Sequence, residues 1–256
     1  MAIQYAERGA NLILVARRKQ QLEETVGLCS KDVKILTIVG DLAQPNVSIK
    51  VRDEIVGVGR LDLAIMNHAV VPAVLISEGD RDNYEKELRS VMEINFFSIV
   101  RLTHALTDIL HRSHGKVVSI GTAGQYVPQM FLSGYSISKQ ALESFIDHYR
   151  LEQTILGRNI NVQHIILGEM QTEEYSKKLT ADKSMTDMML SETEGARRIM
   201  CVASRDVHQA YVPFTFAGIA ALEGALRPLW PWATWNLWIQ SNPDYLERTL
   251  EHMVKH

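Results

Sequence analysis

Short apolar runs alternate with helical stretches along this chain, and that alternation leaves few folds open. Leu12–Val15, Val33–Val39, Leu61–Met66, Val117–Ile120 and Asn161–Leu167 read as strands. The first is apolar at every position, as in a strand buried on both faces. Between them lie segments with helical periodicity: 2–8 closed by Gly9, 19–29, 47–58, a long one over about 81–111, and one from Ser133 onward with Leu142, Phe145, Ile146 and Tyr149 on one face. Parallel strands need a crossover helix between them, so this rhythm predicts an α/β fold, a doubly wound parallel sheet covered on both sides.

A chain of 256 residues that is 46% hydrophobic can bury a sizeable core, and one domain over 1–256 is expected. With a net charge of −3 and dispersed basic residues, nothing marks a nucleic-acid partner. Cys29 and Cys201 lie far apart, and His104, His114, His148 and His164 are scattered. No metal spacing is present, and no metal site is expected. His68 reads as structural, and Cys29 as a core residue.

The chemistry concentrates between Gly115 and Arg150. A strand delivers the chain to a loop and the loop feeds a helix that carries Tyr135 and Lys139 four residues apart. At that spacing they share a face, so the ammonium is expected to lower the phenol's pKa toward neutrality, where a general acid/base works. Ser119 and Thr122 hang at the end of the preceding strand, placed to meet a substrate oxygen also touched by Tyr135. A Tyr and a Lys so spaced arise by chance in roughly one chain in two or three, so the pair counts only with these surroundings.

The run Tyr135-Ser-Ile-Ser-Lys139-Gln-Ala-Leu, behind a loop of glycines and hydroxyls, resembles the active-site segment of the short-chain dehydrogenase/reductases. Met66-Asn67-His68-Ala69, Val91-Met-Glu-Ile-Asn95-Phe-Phe and Leu167-Gly168 resemble the 11-beta-hydroxysteroid dehydrogenase-like branch, and the similarity extends to about residue 205. The resemblance implies a Rossmann-type sheet and an NADP(H) cofactor. It makes Tyr135 the proton donor or acceptor, Lys139 the partner of the nicotinamide ribose, and Asn95 the support of a water-linked relay. The family's serine falls at Thr122, or at Gly121 if the loop has one insertion. Asp41 and Leu42 would border the adenine, Asn67 and Ala69 the ribose and nicotinamide, and Thr172 the carboxamide or diphosphate. Arg17 and Arg18 stand where an NAD user offers an acid, and they suit a 2′-phosphate instead.

The family's first strand and its Thr-Gly-x-x-x-Gly-x-Gly turn, which receives the pyrophosphate, have no counterpart here, so the chain is expected to be N-terminally truncated relative to the family. At the other end, Trp230, Trp232, Trp235 and Trp238 are all the tryptophans of the chain. They make residues 211–240 an apolar helical extension, and the uncharged run from Pro228 to Pro243 at its end is too short and too proline-broken to span a bilayer. Monotopic membrane contact is one expectation for it, and a dimer interface or a cap over the substrate cleft is the other.

The expected function is therefore an NADP(H)-dependent oxidoreductase of an apolar alcohol or ketone, steroid- or lipid-like, acting on a small apolar substrate as a homodimer. The resemblance places it at the endoplasmic reticulum membrane, with the cytoplasm as alternative. The rival is a non-catalytic Rossmann-type binding or interaction protein that lacks the phosphate-binding turn.

Overall fold

The structure is a computed structural model and describes residues 1–72, 81–127, 132–168, 170–171, 189–213 and 217. Helix α1 (Ala2–Ala6) leads to β1 (Leu12–Ala16), followed by α2 (Lys19–Gly27), β2 (Ile35–Val39), α3 (Pro45–Val58) and β3 (Leu63–Met66). Helix α3 begins on Pro45, whose missing N–H costs nothing in the first turn, and ends at Gly59 with φ 86°. Helix α4 (Arg81–Met92) passes through a π-helical turn, Glu93–Phe97, into α5 (Ser98–Ser113). Then come β4 (Lys116–Thr122), a 3₁₀ turn (Ala123–Gln125), α6 (Ser133–Ile155), β5 (Asn161–Leu167), the short β6 (Met170–Gln171) and β7 (Leu190–Ser191), α7 (Glu192–Ala203) and β8 (Gln209–Val212).

Within each sheet the strands are parallel. One sheet runs β3-β4-β5-β8, with Ser119 at its centre opposite Met66 and His164. A second sheet holds β1 and β2, with Leu12 opposite Ile35 and Ala16 opposite Val39. The parallel α/β layering is as expected, but the sheet is divided. Among the described residues, β1 has β2 as its only strand neighbour and β3 has β4 as its only neighbour on that side. The expectation that Leu12–Val15 is fully buried fails for this reason. Each of those residues is only half-buried, because a strand flanked on one side keeps its other edge open.

Both sheets nevertheless share a core. Ile38, Ala64, Met66, Val117 and Val162 pack with Val51 and Ile55 of α3, Ile99, Leu102 and Leu110 of α5 and Leu142 and Ile146 of α6. The opposite face of the larger sheet, Val118, Ile120 and Ile165, meets Ile199 and Ala203 of α7. Each of the Val, Leu, Ile and Met side chains among them, fully buried, contributes about 1.5–3 kcal/mol. Helix α7 and strand β8 were not foreseen. Strand β8, Gln209-Ala-Tyr-Val212, is too short and too polar to stand out as an apolar run. The tryptophan-rich stretch lies outside the described residues, except for 211–213 and 217.

Candidate active site

Helix α6 carries Tyr135 and Lys139 past the carboxyl end of β4. Lys139 is 1% exposed, and its Nζ donates to the Ile120 carbonyl at 2.8 Å. The ammonium stands 5.9 Å from the centre of the Tyr135 ring. Burial pushes the lysine down to about 8. The expected depression of the phenol is not found: burial holds Tyr135 above its ordinary value, and only the hydrogen bond from Thr122 pulls it back. The cation is turned to a backbone carbonyl rather than to the phenolic oxygen, which accounts for the difference.

Three positions before that helix were candidates for the assisting hydroxyl. Thr122 is the one that reaches Tyr135. Its Oγ1 also accepts the Gly124 N–H at 3.3 Å, so its own proton is free for the phenol oxygen. Gly121 cannot host a side chain, because a Cβ there would run into the His164 ring at Nε2 and come within 2.8 Å of Gln125 Oε1. Ser119, expected to face substrate, is wholly buried and hydrogen-bonded to His164 Nδ1 at 2.6 Å. It belongs to the sheet interior. Burial first, then the charges of Lys139 and Arg150, push His164 down to about 3, so it is neutral at pH 7.

Asn95 sits in the π turn and is fully buried. Its Oδ1 accepts the Val70 N–H at 2.8 Å, and its Nδ2 donates to the Val70 carbonyl at 2.9 Å and to Ser138 Oγ at 3.1 Å. A π turn widens the helix by one residue and is found often at functional sites. Here it turns Asn95 inward to fasten the loop after β3 to the residue preceding Lys139. His68, on that loop, hydrogen-bonds to Ser98 Oγ at 2.6 Å, while Ser98 donates to the Ile94 carbonyl at 2.5 Å. The serine proton being used, His68 must be the donor. Burial, then the Lys139 charge, push it down to about 4, in keeping with a structural role.

Glu143, one turn beyond Lys139, had not been singled out in the sequence. Its Oε1 accepts from the Tyr126 hydroxyl and, at 2.6 Å, from Gln209 Nε2, while Oε2 accepts from Gln125 Nε2 at 2.7 Å. Gln125 Oε1 accepts the Thr122 N–H at 3.1 Å. Burial leads in raising the Glu143 carboxyl above its usual range. A Glu four places after a Lys on a helix reads as an ordinary surface pair, so nothing in the sequence separated it from its neighbours.

The other candidates among the described residues follow the carboxyl ends of β1, β2 and β3, the side of a parallel sheet where ligands bind. Arg17 and Arg18 follow β1 and are exposed, and neither is in an ion pair among the described residues. Asp41 caps its own turn by accepting the Ala43 N–H at 3.0 Å. Arg101 of α5 grips the carbonyls of Leu42 and Ala43, both at 3.2 Å, and pairs with Glu93 at 2.6 Å. Asn67 and Ala69 are exposed after β3. Thr172 lies outside the described residues. Of the glycines at the strand ends, Gly40 is packed on Val47 Cγ1, 2.7 Å from where its Cβ would be, and Gly121 on His164. Neither offers an open cradle for phosphate.

Fold and site together define an α/β oxidoreductase scaffold with a tyrosine and a lysine at its centre. A family profile described as short chain dehydrogenase matches residues 1–183. A hydroxysteroid 11-beta-dehydrogenase 1-like protein from Gallus gallus is 29% identical over 96% of this chain and 80% of its own length. The Bos taurus protein of that name is 33% identical over 66% of this chain and 58% of its own. Among solved structures, a short-chain dehydrogenase from Sphingobium yanoikuyae in complex with NADPH superposes with a TM-score of 0.73 at 22% identity, covering 89% of this chain and 88% of the other. An alcohol dehydrogenase from the archaeon Thermococcus sibiricus, complexed with 5-hydroxy-NADP, gives 0.70 at 19% identity, over 82% and 89%. The chain belongs to the short-chain dehydrogenase/reductase family, in its 11-beta-hydroxysteroid dehydrogenase-like branch.

Proposed function

We propose that this chain interconverts an apolar secondary alcohol and its ketone, steroid- or lipid-like, with NADP(H). The observation that carries the reading is the Tyr135 phenol, hydrogen-bonded to Thr122 and flanked by the buried Lys139 ammonium, at the carboxyl edge of the sheet. When bound, the nicotinamide supplies or accepts hydride. Tyr135 gives a proton to the ketone oxygen in reduction and takes it back in oxidation. A phenol that stays neutral at pH 7 suits the donor role. The Thr122 hydroxyl, which favours the ionised phenol, steadies the negative charge that proton donation leaves on Tyr135, and Lys139 would hold the nicotinamide ribose. Asn95 would support the relay, its amide tying Val70 to Ser138, the residue before Lys139.

Arg17 and Arg18 would take the 2′-phosphate, Asp41 and Leu42 the adenine, Asn67 and Ala69 the nicotinamide ribose, and Thr172 the carboxamide or diphosphate. The substrate class is supported by the hydroxysteroid names of the relatives and by the apolar composition of 211–240. Among the described residues no helix is long and apolar enough to cross a membrane. Membrane contact at the endoplasmic reticulum would rest on 211–240, and vesicle flotation with and without that stretch tests it. A homodimer is proposed, with analytical ultracentrifugation as its check.

The test of activity is NADPH oxidation with cyclohexanone. Tyr135→Phe is expected to lower turnover at least about a hundredfold, the scale of lost general-acid help, and a variant as fast as wild type ends the proposal. The packing of Gly40 and Gly121 against their own neighbours favours a second reading, a non-catalytic binding protein. Saturable NADPH fluorescence distinguishes the two, since the enzyme must bind the cofactor.

A further inference from the structure

Building on the oxidoreductase reading above, we propose that Glu143 is a positioning residue: through Gln125 and Tyr126 its carboxylate fixes the turn that carries Thr122 and so aims the Thr122 hydroxyl at the Tyr135 phenol.

Tyr135, Lys139 and Glu143 are spaced by four on α6 and line one face of it. The side chain that grips the turn therefore stands on the same rigid rod as the pair it would serve. The grip is direct: three donors converge on the Glu143 carboxylate, Gln125 from the turn, Tyr126 from the residue that closes it, and Gln209 from β8. Gln125 is 5% exposed, so its amide has little recourse to water. A carboxylate accepts and never donates, which forces the Gln125 NH₂ to face Glu143 and its Oε1 to face the Thr122 N–H. With the backbone of Thr122 held that way, Gly124 N–H occupies one lone pair of Oγ1 and the hydroxyl proton is left to the phenol.

A glutamine at 143 would keep nearly the same volume but carry donors of its own, and the Gln125 amide could then settle in either orientation. The consequence reaches Tyr135 only through Thr122. That route separates a positioning role from a general packing role, because the effect must vanish once the Thr122 hydroxyl is gone.

The test uses the full chain and two readouts. The first is amide hydrogen exchange at Thr122 and Gly124, with Val118 in mid-strand as internal control, and it needs no activity. For Glu143→Gln, exchange at Thr122 and Gly124 is expected to rise at least about tenfold while Val118 is unchanged. The second is NADPH-dependent reduction of cyclohexanone, in which kcat is expected to fall about tenfold with KM within about twofold. Added to Thr122→Val, the Glu143→Gln change is expected to cost nothing further. Unchanged exchange in both Glu143→Gln and Glu143→Ala overturns the proposal, and so does a loss confined to KM or one that adds in full to that of Thr122→Val. A Tyr135→Phe variant with wild-type turnover would sink the oxidoreductase reading instead, and the exchange measurement would still decide on Glu143 by itself.

Discussion

Lys139 and His164 sit in the interior as groups that titrate far from their usual range, and each leaves a mark on stability. Lys139 has a folded value of about 8 against its ordinary 10.5. Below pH 8 both folded and unfolded chains hold the proton, and the full cost of burying a cation, about 3 kcal/mol, weighs on the fold. Between 8 and 10.5 only the unfolded chain holds it, so stability rises with pH. Urea unfolding should show wild type gaining about 3 kcal/mol on Lys139→Met between pH 7 and pH 10.5. His164 and His68 fall to about 3 and about 4 from 6.5. The folded state binds fewer protons than the unfolded one in that window, so the stability present above pH 6.5 is lost as the pH falls through it. The two together are worth up to about 8 kcal/mol, the size of a whole domain's stability. Acid unfolding followed by circular dichroism should therefore begin near pH 6, and His164→Asn should move it lower. Tyr135 and Lys139 were legible in the sequence because their types and spacing belong to one chemistry. The partnerships of Ser119 with His164 and of Gln125 with Glu143 were not, because each joins residues of ordinary surface type that only packing brings inside.

Secondary-structure elements were legible to the extent that apolar residues marked them. Strands β2, β3, β4 and β5 fall within a few residues of their apolar runs, and α6 follows its helical stripe. The π turn between α4 and α5 left no such trace. Val91, Ile94 and Leu102 fit a continuous helix, and the extra residue per turn shows only in how Asn95 is aimed. That turn is held by the Asn95 amide, so its energetic weight can be measured. Asn95→Leu keeps the volume but orphans the Val70 N–H and carbonyl, at about 1–3 kcal/mol per buried group. Thermal unfolding should report a loss of about 2–6 kcal/mol in all. A variant within 0.5 kcal/mol of wild type would mean that water replaces the amide.

At the scale of the whole molecule, the divided sheet is the dominant fact. Among the described residues, those of β1 and β2 rest on the common helices but have no second flanking strand, whereas β4 and β5 have neighbours on both sides and buried side chains throughout their middles. Native-state hydrogen exchange should therefore fall into two tiers, with amides of 12–39 opening at lower free energy than those of 116–122 and 161–167. A single tier across both sheets would show that the shared core alone makes them one cooperative unit. The residues proposed for the adenosine end, Arg17, Arg18, Asp41 and Leu42, follow the strands of one sheet, while Thr122 ends a strand of the other and Tyr135 and Lys139 stand on the helix that packs beside it. A dinucleotide laid across both would act as a rivet over a fault line. Cohesion of the protein and occupancy of the site would then be the same free energy, counted once from each side.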